Sequence, residues 1–187
     1  MKISACYITK NESANIAVSI ESIAASVDEI IVYDTGSEDD TCRIAEALPK
    51  VKLFQGAWCD DFAAARNEAL SHATGDWVVF LDADEYFSEE TRGNVRAVLE
   101  KARGYDALAV KIVNLDVDGA KEKRLNHTYV VRAFRRSSKI RYAGRIHEHI
   151  EREGGALHLG FIPEESLVLL HTGYTASRAK GKAERNL

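Results

Sequence analysis

Two carboxylates separated by a single residue, Asp82 and Asp84, directly follow a short apolar run at residues 77–81. The run is too short for a helix, follows Gly75 and is rich in β-branched and aromatic residues, which is typical of a strand buried on both faces of a parallel sheet. Ligands of such sheets collect outside the carboxyl ends of the strands. If the backbone stays extended, both carboxylates point to the same face, where they suit a hard divalent cation and a phosphorylated ligand. A solvated acidic turn is the alternative interpretation.

Two more polar clusters follow apolar runs in the same way. Thr9, Asn11 and Glu12 come after the first run, and Asp34 begins the Asp-Thr-Gly-Ser sequence (34–37) after the second. A single aspartate in this position more often caps the next helix than binds a ligand. Three such clusters, however, meet at one edge of the sheet if their strands are parallel. That arrangement favours a nucleotide-type ligand.

The elements that must position these clusters alternate through the first hundred residues. Apolar runs and helical spacing predict strands at 2–8, 28–33, 51–54 and 77–81, and helices at 14–25, 37–47, 60–73 and 88–102. Ser37 and Asp40 resemble a capping box for the second helix, and Ser88 is the expected N-cap of the fourth. The alternation predicts an α/β fold with a mainly parallel sheet and helices on both faces.

The pattern changes beyond residue 105. Short strands are predicted, without helices between them, at 107–114, 128–134, 145–150, 157–159 and 166–171, with a charged loop at 116–126. Strands that follow one another directly predict an antiparallel C-terminal extension of the sheet. No linker or repeat interrupts the sequence, so residues 1–187 are expected to form a single domain. The helix-friendly residues 176–187 lead us to expect that this domain is the N-terminal part of a longer protein.

Composition narrows the functional class. A formal net charge of −4 argues against a nucleic-acid-binding protein, whose field is usually positive. The sequence contains no signal-peptide pattern and no apolar span of transmembrane length, so a cytoplasmic setting without a transmembrane segment is expected. Its three cysteines lack metal-ligand spacing, and Cys6 lies in an apolar run where it is expected to be a small core residue.

The sequence resembles the family 2 glycosyltransferases, which have the Rossmann-related GT-A fold. The motifs that carry the resemblance are ITKNE (8–12), VYDTGSEDDT (32–41), ARN (65–67) and FLDADE (80–85). Two later segments, RIHEH (145–149) and LHTGY (170–174), resemble a bacterial subgroup that is often fused to tetratricopeptide-type repeats. The resemblance implies a GT-A-like fold and a metal-dependent, inverting glycosyltransferase. Such an enzyme moves a sugar from a nucleoside-diphosphate donor, a UDP-sugar by preference, to a sugar, peptide or lipid-linked acceptor that the sequence does not identify.

The resemblance also implies which residues bind the nucleotide. Asp34 would accept a hydrogen bond from the base. Thr9, Asn11 and Glu12 would line the base and the ribose, and Asp82 would face the ribose.

Two further residues precede the Asp-x-Asp strand. By resemblance, Arg66 and Asn67 would face the nucleotide and its phosphates, and a guanidinium is well shaped to meet phosphate oxygens. The alternative for Arg66 is a structural salt bridge to Asp61 or Glu85.

The reaction would need a cation and a base. Asp84 would hold Mn²⁺ or Mg²⁺ on the diphosphate together with His171, since imidazole with carboxylate suits Mn²⁺. The alternative is that His171 is an ordinary strand-end residue. An inverting transfer needs one base. The candidates are His147, Glu148 and His149, of which strand alternation puts the two histidines on one face and Glu148 on the other, and Glu148 is preferred. An exposed polar edge strand is the alternative.

Two other functional classes remain open. A phosphatase of the haloacid-dehalogenase type also carries Asp-x-Asp after a strand, but on its first strand and with Thr or Val where this chain has Tyr86. A non-catalytic sugar-nucleotide or protein-binding module would need Asp34, Asp82 and Asp84 as much as an enzyme would. Turnover distinguishes these classes.

Overall fold

The computed structural model describes residues 1–118, 121–137 and 139–172. The helix expected at 176–187 lies outside the described residues, as do residues 173 and 174 of the second C-terminal motif. Four α-helices are found in the described residues: α1 (Ile16–Ala24), α2 (Thr41–Glu46), α3 (Phe62–His72) and α4 (Val95–Lys101). The strands are β1 (Ile3–Thr9), β2 (Glu29–Asp34), β3 (Val51–Gln55), β4 (Trp77–Phe80), β5 (Glu85–Phe87), β6 (Ala107–Asp118), β7 (Lys121–Arg135), β8 (Ile140–Ala143), β9 (His149–Arg152), β10 (Leu159–Phe161) and β11 (Val168–His171).

One large sheet organises the described residues. Its strand order is β3-β2-β1-β4-β7-β6-β11-β5, with β10 beside β6, while β8 and β9 form a separate hairpin. Strands β3, β2, β1 and β4 are parallel, and β7 adds to β4 in the antiparallel direction. The carboxyl ends of β1, β2 and β4 therefore meet at one edge of the sheet. The predicted α/β class, with its parallel sheet and antiparallel additions, is confirmed.

Core side chains lie on both faces of the sheet because β1, β2 and β4 alternate apolar residues between the two faces. On one face, Ile20 of α1 and Leu99 of α4 belong to the cluster that contains Tyr7 of β1. On the other face, Ala69 of α3 belongs to the cluster that contains Cys6. Helices therefore cover both faces, as predicted, and Cys6 is fully buried in the core.

The prediction of a charged loop at residues 116–126 is wrong. Residues 107–118 and 121–135 form one long antiparallel hairpin instead. Residues 123–129 of β7 are exposed to solvent, so they show no alternation of buried and exposed positions from which a strand could be recognised. Backbone pairing to β6, rather than burial, fixes this part of the strand.

The helix expected to begin at Ser88 starts later. Residues 85–87 form β5, a 3₁₀ turn spans Arg92–Asn94, and α4 begins only at Val95. The Ser88 hydroxyl contacts that of Thr91, 2.9 Å away, in place of a helix N-terminus. The second helix begins at Thr41, and the Ser37 hydroxyl donates to Asp34, so the capping box predicted at Ser37 is also wrong.

The helices of the described residues are all short. None of them combines the length and apolar character that a membrane-spanning helix requires.

Candidate functional site

The loop after β2 is folded around the carboxylate of Asp34, which is buried. Its Oδ1 accepts hydrogen bonds from the backbone amides of Gly36 (3.0 Å) and Ser37 (2.8 Å). Its Oδ2 accepts from the hydroxyls of Thr9 (3.0 Å) and Ser37 (2.5 Å). Burial alone would raise the pKa of Asp34, but these hydrogen bonds outweigh it and hold the pKa below its ordinary value.

The loop after β1 is tied to the same region. Asn11 adopts a left-handed backbone conformation (φ 56°), which asparagine tolerates better than most residues. Its amide N–H donates to the Ser37 hydroxyl at 2.8 Å, and its Oδ1 accepts from the Glu38 amide at 2.8 Å. The Glu12 amide donates to the Thr41 hydroxyl at 2.7 Å. The structure therefore brings the predicted residues Thr9, Asn11 and Glu12 together with Asp34.

The backbone does not stay extended from Asp82 to Asp84. The prediction that the two carboxylates point to the same face required an extended backbone, so it does not hold. The Glu85 amide donates to the Asp82 carbonyl at 3.0 Å, which closes a turn directly after β4. Asp82 and Asp84 consequently have different neighbours.

Asp82 is held by two arginines. Arg66 Nη2 donates to its Oδ1 at 2.8 Å, and Arg132 Nη2 donates to its Oδ2 at 2.6 Å. Desolvation would raise the pKa of Asp82, but Arg132 and Arg66 outweigh it and hold the pKa far below its ordinary range. The side chain is still 34% exposed, so the carboxylate reaches the surface at the sheet edge although it is paired with both arginines.

Arg66 links Asp82 to Glu148. It projects from α3, and its Nε donates to Glu148 Oε1 at 2.7 Å, while its guanidinium carbon lies 4.7 Å from the centroid of the Phe80 ring. The expected structural partners of Arg66 are wrong, since Asp61 instead caps α3 by accepting from the Ala64 amide. Glu85, the other expected partner, pairs with a different arginine.

That second arginine, Arg132, is a site residue that the sequence interpretation missed. Its Nη2 donates to Glu85 Oε1 at 2.5 Å as well as to Asp82. Burial raises the pKa of Glu85, Arg132 opposes this effect, and the neighbouring Asp82 carboxylate adds to it. The sequence did contain a signal, because Arg132 lies within the otherwise uncharged, mostly apolar sequence 129–134. A buried arginine must be paired with an acid, so this position indicated a buried ion pair.

A β-bulge directs the Arg132 side chain. In the β6–β7 pairing, Leu108 lies opposite Ala133 and Ala109 opposite Val131, so Arg132 is the extra residue. A bulge breaks the strict alternation of side chains and can direct one of them toward a site. Accordingly, Val131 packs on the same face as Phe134, three residues away.

Asn67 bonds to the β8 backbone. Its Nδ2 donates to the Tyr142 carbonyl and its Oδ1 accepts from the Tyr142 amide, both at 2.9 Å. This pair of bonds fixes β8 against α3 beside Arg66. Contact between Asn67 and a nucleotide stays a prediction.

Asp84 lies beside His171. Its Oδ2 is 3.3 Å from His171 Nε2, and His171 Nδ1 is 2.7 Å from Asn114 Oδ1. The Asp84 carbonyl accepts from the Thr172 amide at 3.1 Å, which joins the turn after β4 to the end of β11. The 3.3 Å between Asp84 Oδ2 and His171 Nε2 is the separation of a hydrogen-bonded pair, and both atoms are of types that can ligate a divalent cation. No group of three or more His, Cys, Asp or Glu side chains suited to a metal occurs within the described residues.

The segment that carries Glu148 is not the predicted strand. Residues 145–148 are irregular, His147 has a φ of 59°, and β9 begins at His149. Strand alternation therefore does not orient Glu148. Its ion pair with Arg66 does, and within the described residues this pair uses Oε1 and leaves Oε2 available.

Comparison with known proteins identifies relatives along most of the chain. The glycosyltransferase SunS of Bacillus subtilis is 33% identical in an alignment of 185 positions that covers 96% of this chain and 42% of that protein. A TPR repeat-containing protein of Synechococcus elongatus is 33% identical in an alignment of 191 positions, gaps included, that covers 98% of this chain and 46% of that protein. The chain thus spans less than half the length of these curated relatives.

Solved structures agree with the sequence comparison. The crystal structure of Staphylococcus aureus TarS (residues 1–349) in complex with UDP-GlcNAc matches with a TM-score of 0.55 and 28% identity, over 65% of this chain and 37% of that one. The same TarS fragment in complex with UDP gives the same TM-score and identity. The family model described as glycosyl transferase family 2 matches residues 4–157. By the family model and by its relatives, this chain belongs to glycosyl transferase family 2.

Proposed function

We propose that the protein is a metal-dependent, inverting glycosyltransferase that moves a sugar from a nucleoside-diphosphate donor, with UDP as the expected nucleotide, to an acceptor nucleophile. The observation that carries this proposal is the convergence of Asp84 and His171, from the turn after β4 and from β11, at 3.3 Å. A carboxylate and an imidazole brought together from distant parts of the chain suit a cation that a diphosphate also binds.

UDP is the expected nucleotide because the TarS fragment was crystallised with UDP and with UDP-GlcNAc. In this proposal, the base lies at the Asp34 loop and Asp82 faces the ribose. The Asp34 carboxylate already accepts four hydrogen bonds, about as many as a carboxylate can accept. A base N–H would therefore replace or share the bond from the Ser37 hydroxyl, the most adaptable of the four donors.

Asp84 and His171 would hold Mn²⁺ or Mg²⁺. Mg²⁺ in such sites is commonly held by one or two carboxylates together with substrate phosphates and water, so Asp84 would be its main protein ligand and His171 would add a nitrogen donor. The cation would stabilise negative charge on the departing diphosphate. The bond between His171 Nδ1 and Asn114 would orient the imidazole so that Nε2 faces Asp84.

Glu148 is the proposed base. The acceptor oxygen forms a bond to the anomeric carbon of the donor sugar, the bond from that carbon to the diphosphate oxygen breaks, and the nucleoside diphosphate departs. The acceptor proton passes to Glu148 Oε2, while Arg66 holds Oε1. One displacement with one base inverts the anomeric configuration.

Turnover assays test the proposal. The protein is incubated with Mn²⁺ and a panel of UDP- and GDP-sugars, and released nucleoside diphosphate is measured with and without EDTA. We expect release from a UDP-sugar that EDTA abolishes, and a UDP affinity by calorimetry that Asp34→Asn lowers roughly tenfold. UDP binding with no release from any donor would favour the non-catalytic sugar-nucleotide-binding module. No nucleotide binding at all would exclude both that module and the glycosyltransferase.

The proposal also covers the cellular location of this domain and its place in a longer protein. We propose a cytoplasmic catalytic domain within a longer protein, and the greater length is supported by two relatives of which this chain spans 42% and 46%.

A further inference from the structure

Three side chains stand in a row across three neighbouring strands beside Asp84. Asn114 of β6 lies opposite Asn126 of β7 and opposite His171 of β11, and side chains at opposed positions share one face of a sheet. Asn114 Nδ2 donates to Asn126 Oδ1, and Asn114 Oδ1 lies 2.7 Å from His171 Nδ1. Asn114 is buried, whereas Asn126 is exposed. The row therefore runs from the surface of the β6–β7 hairpin to the imidazole that faces Asp84.

The chemistry of the amide groups links the two ends of this row. A side-chain amide donates only through its nitrogen and accepts only through its oxygen. Because Asn114 Nδ2 is bonded to Asn126, the oxygen of Asn114 faces His171 Nδ1, and that nitrogen must carry the ring hydrogen. In a neutral imidazole the other nitrogen, Nε2, then carries a lone pair. The direction of the bond between the two asparagines thus selects the nitrogen of His171 that can ligate a metal.

The opposite direction of hydrogen bonding is also self-consistent. If both amides rotated by half a turn, Asn126 would donate to Asn114 Oδ1, Asn114 Nδ2 would donate to His171 Nδ1, and the ring hydrogen would lie on Nε2. Such a rotation exchanges only the oxygen and nitrogen of each amide, which are nearly alike in size. Nε2 would then donate its hydrogen to Asp84 Oδ2, 3.3 Å away. A metal binds the imidazole nitrogen that has no hydrogen, so this direction closes the site to a cation.

We propose that Asn126 is a positioning residue for the cation site, because it sets the direction of this row through Asn114. As the acceptor of the bond from Asn114, it holds the ring hydrogen on Nδ1 and leaves the Nε2 lone pair facing Asp84. The inference rests on the proposed binding of Mn²⁺ or Mg²⁺ by Asp84 and His171, and it adds a residue to that site. Groups that orient a metal-binding histidine typically change metal affinity by roughly 10- to 100-fold. Asn126 lies within residues 123–129 of β7, so this exposed part of the strand has a role that burial does not provide.

Two substitutions of Asn126 in the whole chain test the assignment. Asn126→Asp can only accept and should keep the direction seen in the structure, whereas Asn126→Lys can only donate and should reverse it. The matched controls are Thr128→Asp and Thr128→Lys, because Thr128 is also exposed on β7 but lies opposite Ile112 instead of Asn114. These controls make the same changes of charge without altering the row. Matched thermal unfolding confirms that the variants fold.

The first measurement is ¹⁵N NMR of the His171 ring, which distinguishes the two neutral tautomers. Spectra are recorded without metal at about pH 8.5, where an ordinary imidazole is neutral, and His171→Gln identifies the resonance. Asn126→Asp should show the hydrogen on Nδ1, and Asn126→Lys should show it on Nε2. The wild type loaded with Mg²⁺ and UDP should match Asn126→Asp. The same tautomer in both variants would overturn the assignment.

The second measurement is the Mn²⁺ affinity in the presence of UDP, followed through the electron paramagnetic resonance of the free ion. Asn126→Lys should weaken this affinity roughly tenfold, Asn126→Asp should not weaken it, and Thr128→Lys should change it by about twofold or less, since salt screens exposed charges. Adding Asn114→Asp to Asn126→Lys should restore the affinity, because a carboxylate only accepts and returns the ring hydrogen to Nδ1. Equal losses in Asn126→Lys and Thr128→Lys would also overturn the assignment. If the wild-type chain binds no Mn²⁺, the proposed cation site fails, and the ring spectra still decide whether Asn126 selects the tautomer.

Discussion

Asp82 and Asp84 are one residue apart in the sequence and lie in different electrostatic surroundings. Asp82 accepts hydrogen bonds from Arg66 and Arg132, both buried, and its pKa is held far below the ordinary range. Asp84 is buried beside the imidazole of His171, 3.3 Å away. The turn closed by the Glu85 amide separates the two carboxylates.

The difference teaches that an Asp-x-Asp pair need not act as one unit. The carboxylate of Asp82 is one member of an alternating chain of charges, namely Glu148, Arg66, Asp82, Arg132 and Glu85. We expect this chain of ion pairs to fix the positions of its five side chains. The carboxylate of Asp84 has a neighbour of the type that binds metals, so its expected contribution is to turnover.

The largest expected effect is on turnover. Asp84→Asn should lower release of nucleoside diphosphate by about 10³-fold or more, because a cation supplies several kcal/mol of transition-state stabilisation. The free energy of unfolding should change by about 1 kcal/mol or less. The matched control is Asp76→Asn, at the opposite end of β4, which should leave turnover unchanged. Equal losses in the two variants would contradict the role given to Asp84.

The next effect is on stability. Arg132→Met should destabilise the protein by about 3–5 kcal/mol, because it leaves the buried carboxylate of Glu85 without a cation and leaves Asp82 with Arg66 alone. Urea unfolding measures this change. Arg141→Met removes the exposed pair with Glu151 and should change stability by about 1 kcal/mol or less. The network around Asp82 would have no structural role if both substitutions had the same small effect.

The smallest expected effect is on the pH dependence of stability, through the contribution of Asp82 to the free energy of unfolding. Because the folded-state pKa of Asp82 is lowered, its ion pairs stabilise the protein fully above the unfolded pKa of about 3.9. The stability difference between wild type and Asp82→Asn should be constant above about pH 5 and shrink as the pH falls below about 4. Unfolding free energies measured from pH 7 to pH 3 check this. A difference that grows toward low pH would reverse the assigned direction.

Much of the first half of the fold could be predicted from the sequence, because β1, β2 and β4 are buried apolar runs and segments of helical spacing lie between them. In the second half, parts of β6, β7 and β11 could be predicted, but the full length of the β6–β7 hairpin could not, because residues 123–129 of β7 are exposed and carry no burial pattern. The same limitation applies to β5, a three-residue strand that pairs with β11 more than eighty residues later in the chain.

For the candidate site, the sheet-edge argument identified the loops of Thr9 and Asp34 and the Asp82-to-Asp84 turn. It could not identify the turn geometry, which involves contacts with Arg132, 50 residues from Asp82. Nor could it locate the pairing of Asn67 with Tyr142, because the partner groups belong to the backbone. Side-chain alternation also failed at Glu148, since that segment has no regular structure.

A crystal of the protein grown with Mn²⁺ and UDP tests the central claim most directly, through the anomalous scattering of manganese. The account predicts one manganese peak in contact with Asp84 Oδ2, His171 Nε2 and the diphosphate, with Asp82 still bonded to Arg66 and Arg132. A manganese ion bound by Asp82, or a bound UDP with no manganese near Asp84, would contradict it.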